Sequence, residues 1–528
     1  MRQSDLLPTE LLKLAPNDCW RVSDALMHLL VLGTTGSGKT STTIKYAIKS
    51  MLYVGFGLIS LTAKSEDAAM FKSLCQQARR SASVIEITDT AGEFNFLAWE
   101  LARTRNINAV IDLLDHAIDM VRTSGPSQGK LGDEFWSASK TAMLRATIPV
   151  IYAATGTVRI DDVLAFIRSA PSSPEQMKDP QWQCQAAFYH LFSMAAARLE
   201  AGPIPGFDDA VAARAIAYWR DDISRLDAKT AGNIRITLTT ALSRFEHGFL
   251  KRMFCSGVSV VPELLFHGAI ILLNFPVQVH GEDAAIGQKL WKFCTQRACL
   301  SRNALDARQS QIPVGIIADE CHNFLHQDAE FLAQCRSSLV SVVFATQSFP
   351  TIRAKIGGDA PHDRAEHLIS NFNTVVLHSS ACPTTNDWFS RKIGKTLQRR
   401  GNFSEAHGSS TNYGTSLNEG SNWGTNSSSG GSYSSGGNGG GSSGSNWSHG
   451  TSSGGSSGYG KTRGSGTSHN LSQGYAEQMD FMIEAGDFGR MLKTGGTANG
   501  NRVSAVLYQS GRQFVASGTN TLMLEYRQ

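Results

Sequence analysis

The sequence predicts an α/β fold built on a mainly parallel sheet, and two observations carry that prediction. Short, near-continuous apolar runs alternate with helix-forming stretches, as expected for strands covered on both faces. One of these runs, Leu29 to Leu32, delivers a glycine-rich loop into a plausible helix, Ser41 to Leu52. The loop fills the pattern G-x-x-x-x-G-K-[ST] with Gly33, Gly38, Lys39 and Thr40, and its remaining members are Thr34, Thr35, Gly36 and Ser37. Glycines in this pattern let backbone N–H groups turn inward around phosphate oxygens. The lysine places a charge on the β- and γ-phosphates, and the threonine hydroxyl serves Mg²⁺. The helix that starts here, at Ser41, adds its positive end to the same site.

The pattern occurs a second time at residues 455–462, ending in Lys461 and Thr462, but its flanks are Gly, Ser and Asn with neither strand nor helix former. It reads as chance in a biased segment. A third Gly-Lys-Thr at Gly394 to Thr396 lacks the upstream glycine, where Phe389 stands.

Further strands are expected at Gly57 to Thr62, Ser83 to Ile87, Gly268 to Phe275, Val314 to Asp319, Leu339 to Thr346 and Asn373 to His378. Between them, Ile107 to Val121, Phe135 to Ala154, Gln183 to Glu200 and Ala210 to Leu226 carry apolar residues at helical spacing and read as an all-helical insert. Residues 408–474 turn Gly/Ser/Asn-rich with almost no aliphatics and cannot bury a core of their own. Arg502 to Tyr508 and Thr521 to Tyr526 read as two last strands, antiparallel to each other. The expected organisation is a first part of the ATPase domain over 1–105, the helical insert over 106–250, a second ATPase part over 251–407, a Gly/Ser-rich flexible segment over 408–474 and a last ATPase part over 475–528.

A length of 528 residues allows two to four domains, and an apolar fraction of 41% supports a sizeable core. Net charge is only +4, so the chain is not a basic coat for nucleic acid, and any contact with a polyanion must be local or built from several subunits. Nine scattered cysteines without a C-x-x-C spacing indicate neither a disulfide framework nor a zinc module and suit a reducing cytoplasm. No uncharged apolar run approaches the ~18 residues a membrane span needs.

The second half of a nucleotide site is the apolar run Gly315 to Ala318 ending in Asp319 and Glu320. In such a pair the first carboxylate serves the Mg²⁺ shell and the second polarises the attacking water. A helical stretch bearing Arg336 follows, then the strand that ends in Gln347 and Ser348, where a polar tip can sense the γ-phosphate. The tetrad Asp319-Glu-Cys-His322 also spells a DExH helicase box, but the distance from the loop is too long and no Q-x-x-G-R-x-G-R element follows.

In ordered sequence, the chain resembles the TraG/TraD-like coupling-protein ATPases of conjugation and type IV secretion, within the HerA–FtsK superfamily of P-loop NTPases. The resemblance rests on Gly33 to Thr40, Asn95-Phe-Leu97, Phe135-Trp136, Asp319-Glu320 and Ala345-Thr-Gln-Ser348, with weaker support at Asn371 to His378 and Leu492 to Gly496. Roughly 280 residues separate the loop from the acid pair, filled by the helical insert, which makes the set more specific than the loop alone. It implies a RecA-like, ring-forming, hexameric ATPase that is stimulated by DNA and moves it, or protein-bound DNA, toward a secretion channel. ATP and Mg²⁺ are the implied cofactors, with Thr40 and Asp319 at the metal. Lys39, Asp319, Glu320 and Gln347 form the hydrolytic set, and Arg336 sits where some members place an arginine that completes a neighbouring subunit's site.

DNA, a relaxase and a secretion-channel or membrane partner follow as expected partners, with a cytoplasmic location, peripheral at the inner membrane. A soluble dsDNA translocase for processing or packaging, and a nucleotide-switched assembly factor, are the alternatives. Two departures from the family pattern stand out. The membrane helices that many members carry are missing, and the family's Asp-Pro-Lys-Gly segment is here Thr62-Ala-Lys64-Ser65. Arg353, Lys355, Lys395, Arg399 and Arg400 are candidate phosphate contacts, and Tyr413, Trp423, Tyr433, Trp447 and Tyr459 punctuate the Gly/Ser-rich stretch.

Overall fold

The computed structural model describes residues 6–124, 133–173, 175–302, 311–357, 360–416, 425–436, 440–451 and 460–528. The chain divides into two compact units, one comprising Met1–Asp387 with Ala485–Gln528 and the other Trp388–Glu484.

The first unit is organised by a nine-stranded sheet. Its strands are β3 (Leu29–Leu32), β4 (Gly57–Leu61), β5 (Val84–Thr88), β6 (Ile270–Asn274), β7 (Val314–Ala318), β8 (Val340–Thr346), β9 (Thr374–His378), β14 (Arg502–Gln509) and β15 (Thr521–Arg527). They lie in the order β15-β14-β9-β3-β8-β7-β4-β6-β5. Seven run parallel from β9 to β5, and β14 and β15 are antiparallel additions beside β9. The β3, β4, β7, β8 and β9 strands are buried at every position, which explains why their sequences are continuous apolar runs rather than alternating ones.

Strand order places β3 inside the sheet, between β8 and β9, with Leu32 level with Thr346 on one side and Leu377 on the other. The chain leaves β3 at the carboxyl edge of the parallel strands. A π-type turn at Thr40–Ile44 leads into the helix Lys45–Val54, which Gly55 ends in a left-handed conformation while its N–H bonds back to Met51 and Leu52. On the inner face of that helix, Ala47, Ile48, Met51 and Leu52 pack with Val31, Ile317 and Val343 of the sheet.

An N-terminal hairpin, β1 (Glu10–Ala15) with β2 (Asp18–Arg21), had no counterpart in the expected elements. Register shifts at Glu10/Leu12 and Lys13/Ala15 break its two-residue period. The helix Val277–Arg302 was also unexpected. Gly281 kinks it at φ 60°, and buried Gln288, Lys289, Lys292 and Gln296 interrupt its apolar pattern.

Between 106 and 250 the elements are helical, including Ile107–Ser124, Asp133–Thr155, Ile160–Ser169, Ala187–Ala201, Asp209–Ala217 and Ala228–Leu242. Phe166, Phe188 and Trp219 form an aromatic cluster there, with ring centroids 4.6 Å apart for the first pair and 5.5 Å for Phe188 and Trp219. The completely buried Lys140 is neutralised by Asp119 at 2.6 Å and Asp115 at 3.1 Å. Arg297 of the helix Val277–Arg302 reaches Glu100 at 2.8 Å and Asp112 at 3.5 Å, which fastens these helices to the sheet layer.

The second unit differs from the flexible segment expected over 408–474. Its described backbone forms two antiparallel ribbons, β10 (Lys395–Ser416) with β13 (Gly460–Phe481) and β11 (Thr425–Gly436) with β12 (Gly440–Thr451). A ladder of backbone hydrogen bonds needs no apolar side chain, so a sequence without aliphatics still pairs. Strand β13 also runs past residue 474 to Phe481, so that the sheet unit resumes at Ala485 rather than at 475.

Candidate functional site

The ends of β3, β4, β7 and β8 converge at one edge of the sheet, and the residues that follow each strand make the site. Gly33, Gly36 and Gly38 adopt φ values of 152°, 77° and 87°, so the loop from Gly33 to Lys39 curls back over the helix start. Two of these glycines are also fixed by crowding. A Cβ on Gly33 would meet His378 Cβ at 2.8 Å and Ser37 Oγ at 2.7 Å, and one on Gly38 would meet both methyl carbons of Val503 at 2.8 Å. Strands β9 and β14 thus form the floor of the loop. Thr34 is tied to the same floor, its N–H and hydroxyl both donating to Ser379 O, at 3.0 and 3.1 Å.

Lys39 is buried at 6% exposure, with its ammonium folded into the loop, donating to Gly33 O at 2.5 Å and Thr34 O at 3.0 Å. Burial depresses its pKa, and Asp319 and Glu320 offset part of that effect. The Thr40 hydroxyl donates to Asp319 Oδ2, across 279 residues of sequence. This places a hydroxyl oxygen and a carboxylate oxygen side by side, the hard-oxygen donors that Mg²⁺ accepts when it keeps its other positions for water and phosphate.

Asp319 and Glu320 follow β7. Glu320 holds a left-handed backbone, φ 52°, which few residues with a side chain adopt, and its N–H donates to Asp319 Oδ1 at 2.9 Å. Glu320 Oε1 pairs with Lys64 Nζ at 3.3 Å. Its Oε2 is buried, has no hydrogen-bond partner among the described residues, and lies 3.6 Å from His322 Nδ1. His322 in turn contacts Thr346 Oγ1 at 3.0 Å, at the end of β8. Burial keeps His322 below its ordinary pKa, partly countered by Glu320.

Gln347 follows Thr346 directly and is half-buried at the same edge, so the structure brings Lys39, Thr40, Asp319, Glu320 and Gln347 to one end of three adjacent strands. Arg336 is not among them. It is exposed in the short turn Cys335–Ser338 that precedes β8, at the opposite edge of the sheet. Of the remaining loop residues, Ser37 is buried, and Ser41 accepts from Gln528 Nε2 at 2.9 Å.

Behind the loop lies a group that reading the sequence did not single out. Thr43 contacts His378 Nε2 at 2.8 Å and donates to the Tyr526 hydroxyl at 3.0 Å. Tyr526 stacks on Tyr46 and on His378. Burial, reinforced by nearby Lys39, holds the pKa of His378 down to about 3. Strand patterning at β9 and β15 was visible in the sequence, but nothing in it shows that these strands meet beneath the loop.

The Cys321 thiol is completely buried and its pKa is raised well above the ordinary value, first by burial and then by Asp328. Arg353 and Lys355 lie on the helix Phe349–Ile356 that follows Gln347. The side chains of Arg399, Arg400 and Lys461, and the five aromatics of the Gly/Ser-rich stretch, lie outside the described residues.

Fold and loop together define a RecA-like P-loop protein. A solved structure of the bacterial conjugative coupling protein TrwBdeltaN70, in its unbound monoclinic form, superposes with a TM-score of 0.53 at 12% identity, covering 99% of this chain and 91% of that one. Its trigonal form in complex with sulphate gives 0.48 at 15% identity over 72% and 77% of the two chains. TrwB in complex with ADP and Mg²⁺ gives 0.47 at 14% identity over 75% and 82%. No curated protein matches the chain.

Two family models match in chain order. The model for type IV secretory system conjugative DNA transfer covers residues 12–202, and the one for the TraM recognition site of TraD and TraG covers residues 313–438. Together they span more than half of the chain, which belongs to the coupling-protein family of conjugation and type IV secretion. Among the described residues no helix is long and apolar enough to cross a membrane.

Proposed function

We propose that this chain is an ATP-hydrolysing, ring-forming motor that couples DNA to a type IV secretion channel. The observation that carries the reading is the convergence of Lys39, Thr40, Asp319 and Glu320 on one sheet edge, from segments 279 residues apart. The loop amides and Lys39 bind the β- and γ-phosphates of ATP. Thr40 and Asp319 hold Mg²⁺, which when bound neutralises developing phosphate charge. Glu320 accepts a proton from the attacking water, and Gln347 senses the γ-phosphate from the tip of β8. Arg336, exposed and remote from the chain's own loop, serves the site of a neighbouring subunit in a hexameric ring.

The partners on this reading are DNA, a relaxase and a TraM-like protein that contacts the segment 313–438, with docking at the inner membrane through a membrane-bound partner. Arg353 and Lys355, beside the γ-phosphate sensor, are positioned to carry DNA-dependent stimulation.

Glu320→Gln tests the hydrolytic part. ATP should still bind, because the loop is intact, and steady-state turnover should fall by about 10²–10⁴-fold, the usual worth of a positioned base. Loss of binding in a filter or fluorescence titration would make Glu320 part of the metal or phosphate cradle instead.

A further inference from the structure

We propose that Lys64 is a positioning residue for hydrolysis: it holds Glu320 Oε1, so that Oε2 is the oxygen that receives the water proton. The proposal rests on the hydrolytic reading above and adds to it a residue that lies outside the loop, the acid pair and the sensor strand.

Strand pairing explains how Lys64 reaches this place. β4 and β7 are neighbours, with Leu61 level with Ala318. Three residues past Leu61 and two past Ala318, the two chains therefore stand beside each other at the sheet edge. The turn that carries Lys64 is fixed by Asp67, whose carboxylate accepts from the N–H groups of Ala63 at 3.0 Å and Lys64 at 2.8 Å. The ammonium then donates to Glu320 Oε1 at 3.3 Å.

The two oxygens of Glu320 are thereby made unequal. Oε1 has a cation. Oε2 is buried, has no donor among the described residues, and faces His322, which is itself engaged with Thr346 at the tip of the sensor strand. An ionised carboxylate offers about four lone-pair sites, and leaving a buried one without a donor has an energetic cost that a purely structural ion pair has no reason to carry. Nor does stability account for the pair, because the Lys64 side chain is 48% exposed and ion pairs in such positions contribute little.

On the hydrolytic reading, the water that donates to Oε2 is the one that attacks the γ-phosphate. In the step that follows, the water oxygen forms the new bond to phosphorus, its proton passes to Oε2, and the bond from phosphorus to the bridging oxygen breaks with its electron pair leaving on ADP. Lys64 holds the carboxylate plane fixed through its contact with Oε1 while this happens.

The test compares Lys64→Met, Lys64→Arg, Glu320→Gln and the double variant Lys64→Met/Glu320→Gln in the full chain. The readouts are kcat, KM for ATP, and affinity for ADP and a non-hydrolysable ATP analogue. Lys64→Met should lower kcat by about 10- to 100-fold, the scale of a misplaced catalytic group, with KM and both affinities held within about threefold. Lys64→Arg should restore most of the rate. Adding Lys64→Met to Glu320→Gln should cost nothing further, because the two act as one unit. A normal kcat in Lys64→Met, an additive loss in the double variant, or selective loss of affinity for the ATP analogue over ADP would each overturn the proposal, the last by making Lys64 a phosphate ligand. Lys39→Ala separates the two levels. If it retains turnover, the reading of the whole site fails. If it is inactive while Lys64→Met is normal, only the role of Lys64 fails.

Discussion

Residues 33–40 and 455–462 spell the same phosphate-loop pattern in two regions of one chain. The first follows a strand whose four residues are all buried, rests on His378 and Val503, and brings Thr40 to Asp319. Of the second, residues 455–459 lie outside the described residues, and Gly460, Lys461 and Thr462 are paired in an antiparallel ladder with Ser416, Thr415 and Gly414. In a ladder, successive N–H groups point to alternate edges in the sheet plane. In a phosphate loop they converge on a point. The chemistry therefore resides in the convergence, which requires a strand before, a helix after and a floor beneath. The letters G-x-x-x-x-G-K-T supply only permission.

The strongest way to break this comparison is Lys39→Ala. The variant removes the charge on the β- and γ-phosphates from a site otherwise complete, and ATP turnover measured by phosphate release should fall to background. Retained turnover would mean that the convergent region is not the site.

That prediction rests on features with very different visibility in the sequence. The apolar runs ending at Leu32, Ala318 and Thr346 stand out because strands buried on both faces must be continuously apolar, and the loop and acid pair stand at their tips. Strand order does not stand out, since every buried parallel strand satisfies the same pattern. The Lys64–Glu320 pair and the floor made by His378, Val503 and Tyr526 depend on that order, bridging segments hundreds of residues apart. Lys64 could be noticed only as a departure from a family segment. The ribbons of the second unit were missed for the opposite reason: Gly and Ser carry no hydropathy period, and a backbone ladder leaves no trace in one.

Arg336→Ala asks whether the first region is complete within one chain. Arg336 is exposed at the sheet edge opposite Lys39, so it cannot serve the loop of its own subunit without a neighbour. Affinity for nucleotide should stay unchanged, and DNA-stimulated turnover should fall by about 10³–10⁵-fold, the effect of an arginine acting across an interface. Mixed with Lys39→Ala subunits, the variant should regain part of the activity, since each supplies the half the other lacks. Mixed rings as inactive as either parent would confine the site to one chain.

Gly38→Ala sharpens the role of the floor. Gly38 sits at φ 87°, and an added Cβ would stand 2.8 Å from the methyl carbons of buried Val503. Conformation and overpacking should together destabilise the nucleotide-free protein by roughly 1–3 kcal/mol. A second change, Val503→Ala, should recover the packing part and leave the conformational part. Melting curves of the single and double variants measure both, and full recovery would show that sterics alone select glycine here.

The smallest expected effect lies in the second region, and it is the control the comparison needs. Ser416 and Gly460 face each other in register, so residues 417–459 can be removed and replaced by a two-residue Asn-Gly turn without moving either strand end. Shortening a connection changes closure entropy only slowly. Leu417 is the only aliphatic residue between 417 and 459, so the segment has little apolar surface to contribute to a packed core. The trimmed protein should melt within about 2 °C of the full chain and keep its basal ATPase, because surface changes away from packed or bonded groups cost little. Lys461→Ala should be silent in the same assays, since its backbone stays in the ladder and no acid pair has been placed before it. If Lys461→Ala loses turnover as Lys39→Ala does, the phosphate site has been assigned to the wrong region. If trimming alone abolishes DNA-stimulated turnover while basal hydrolysis persists, the ribbon belongs to the machinery that handles DNA.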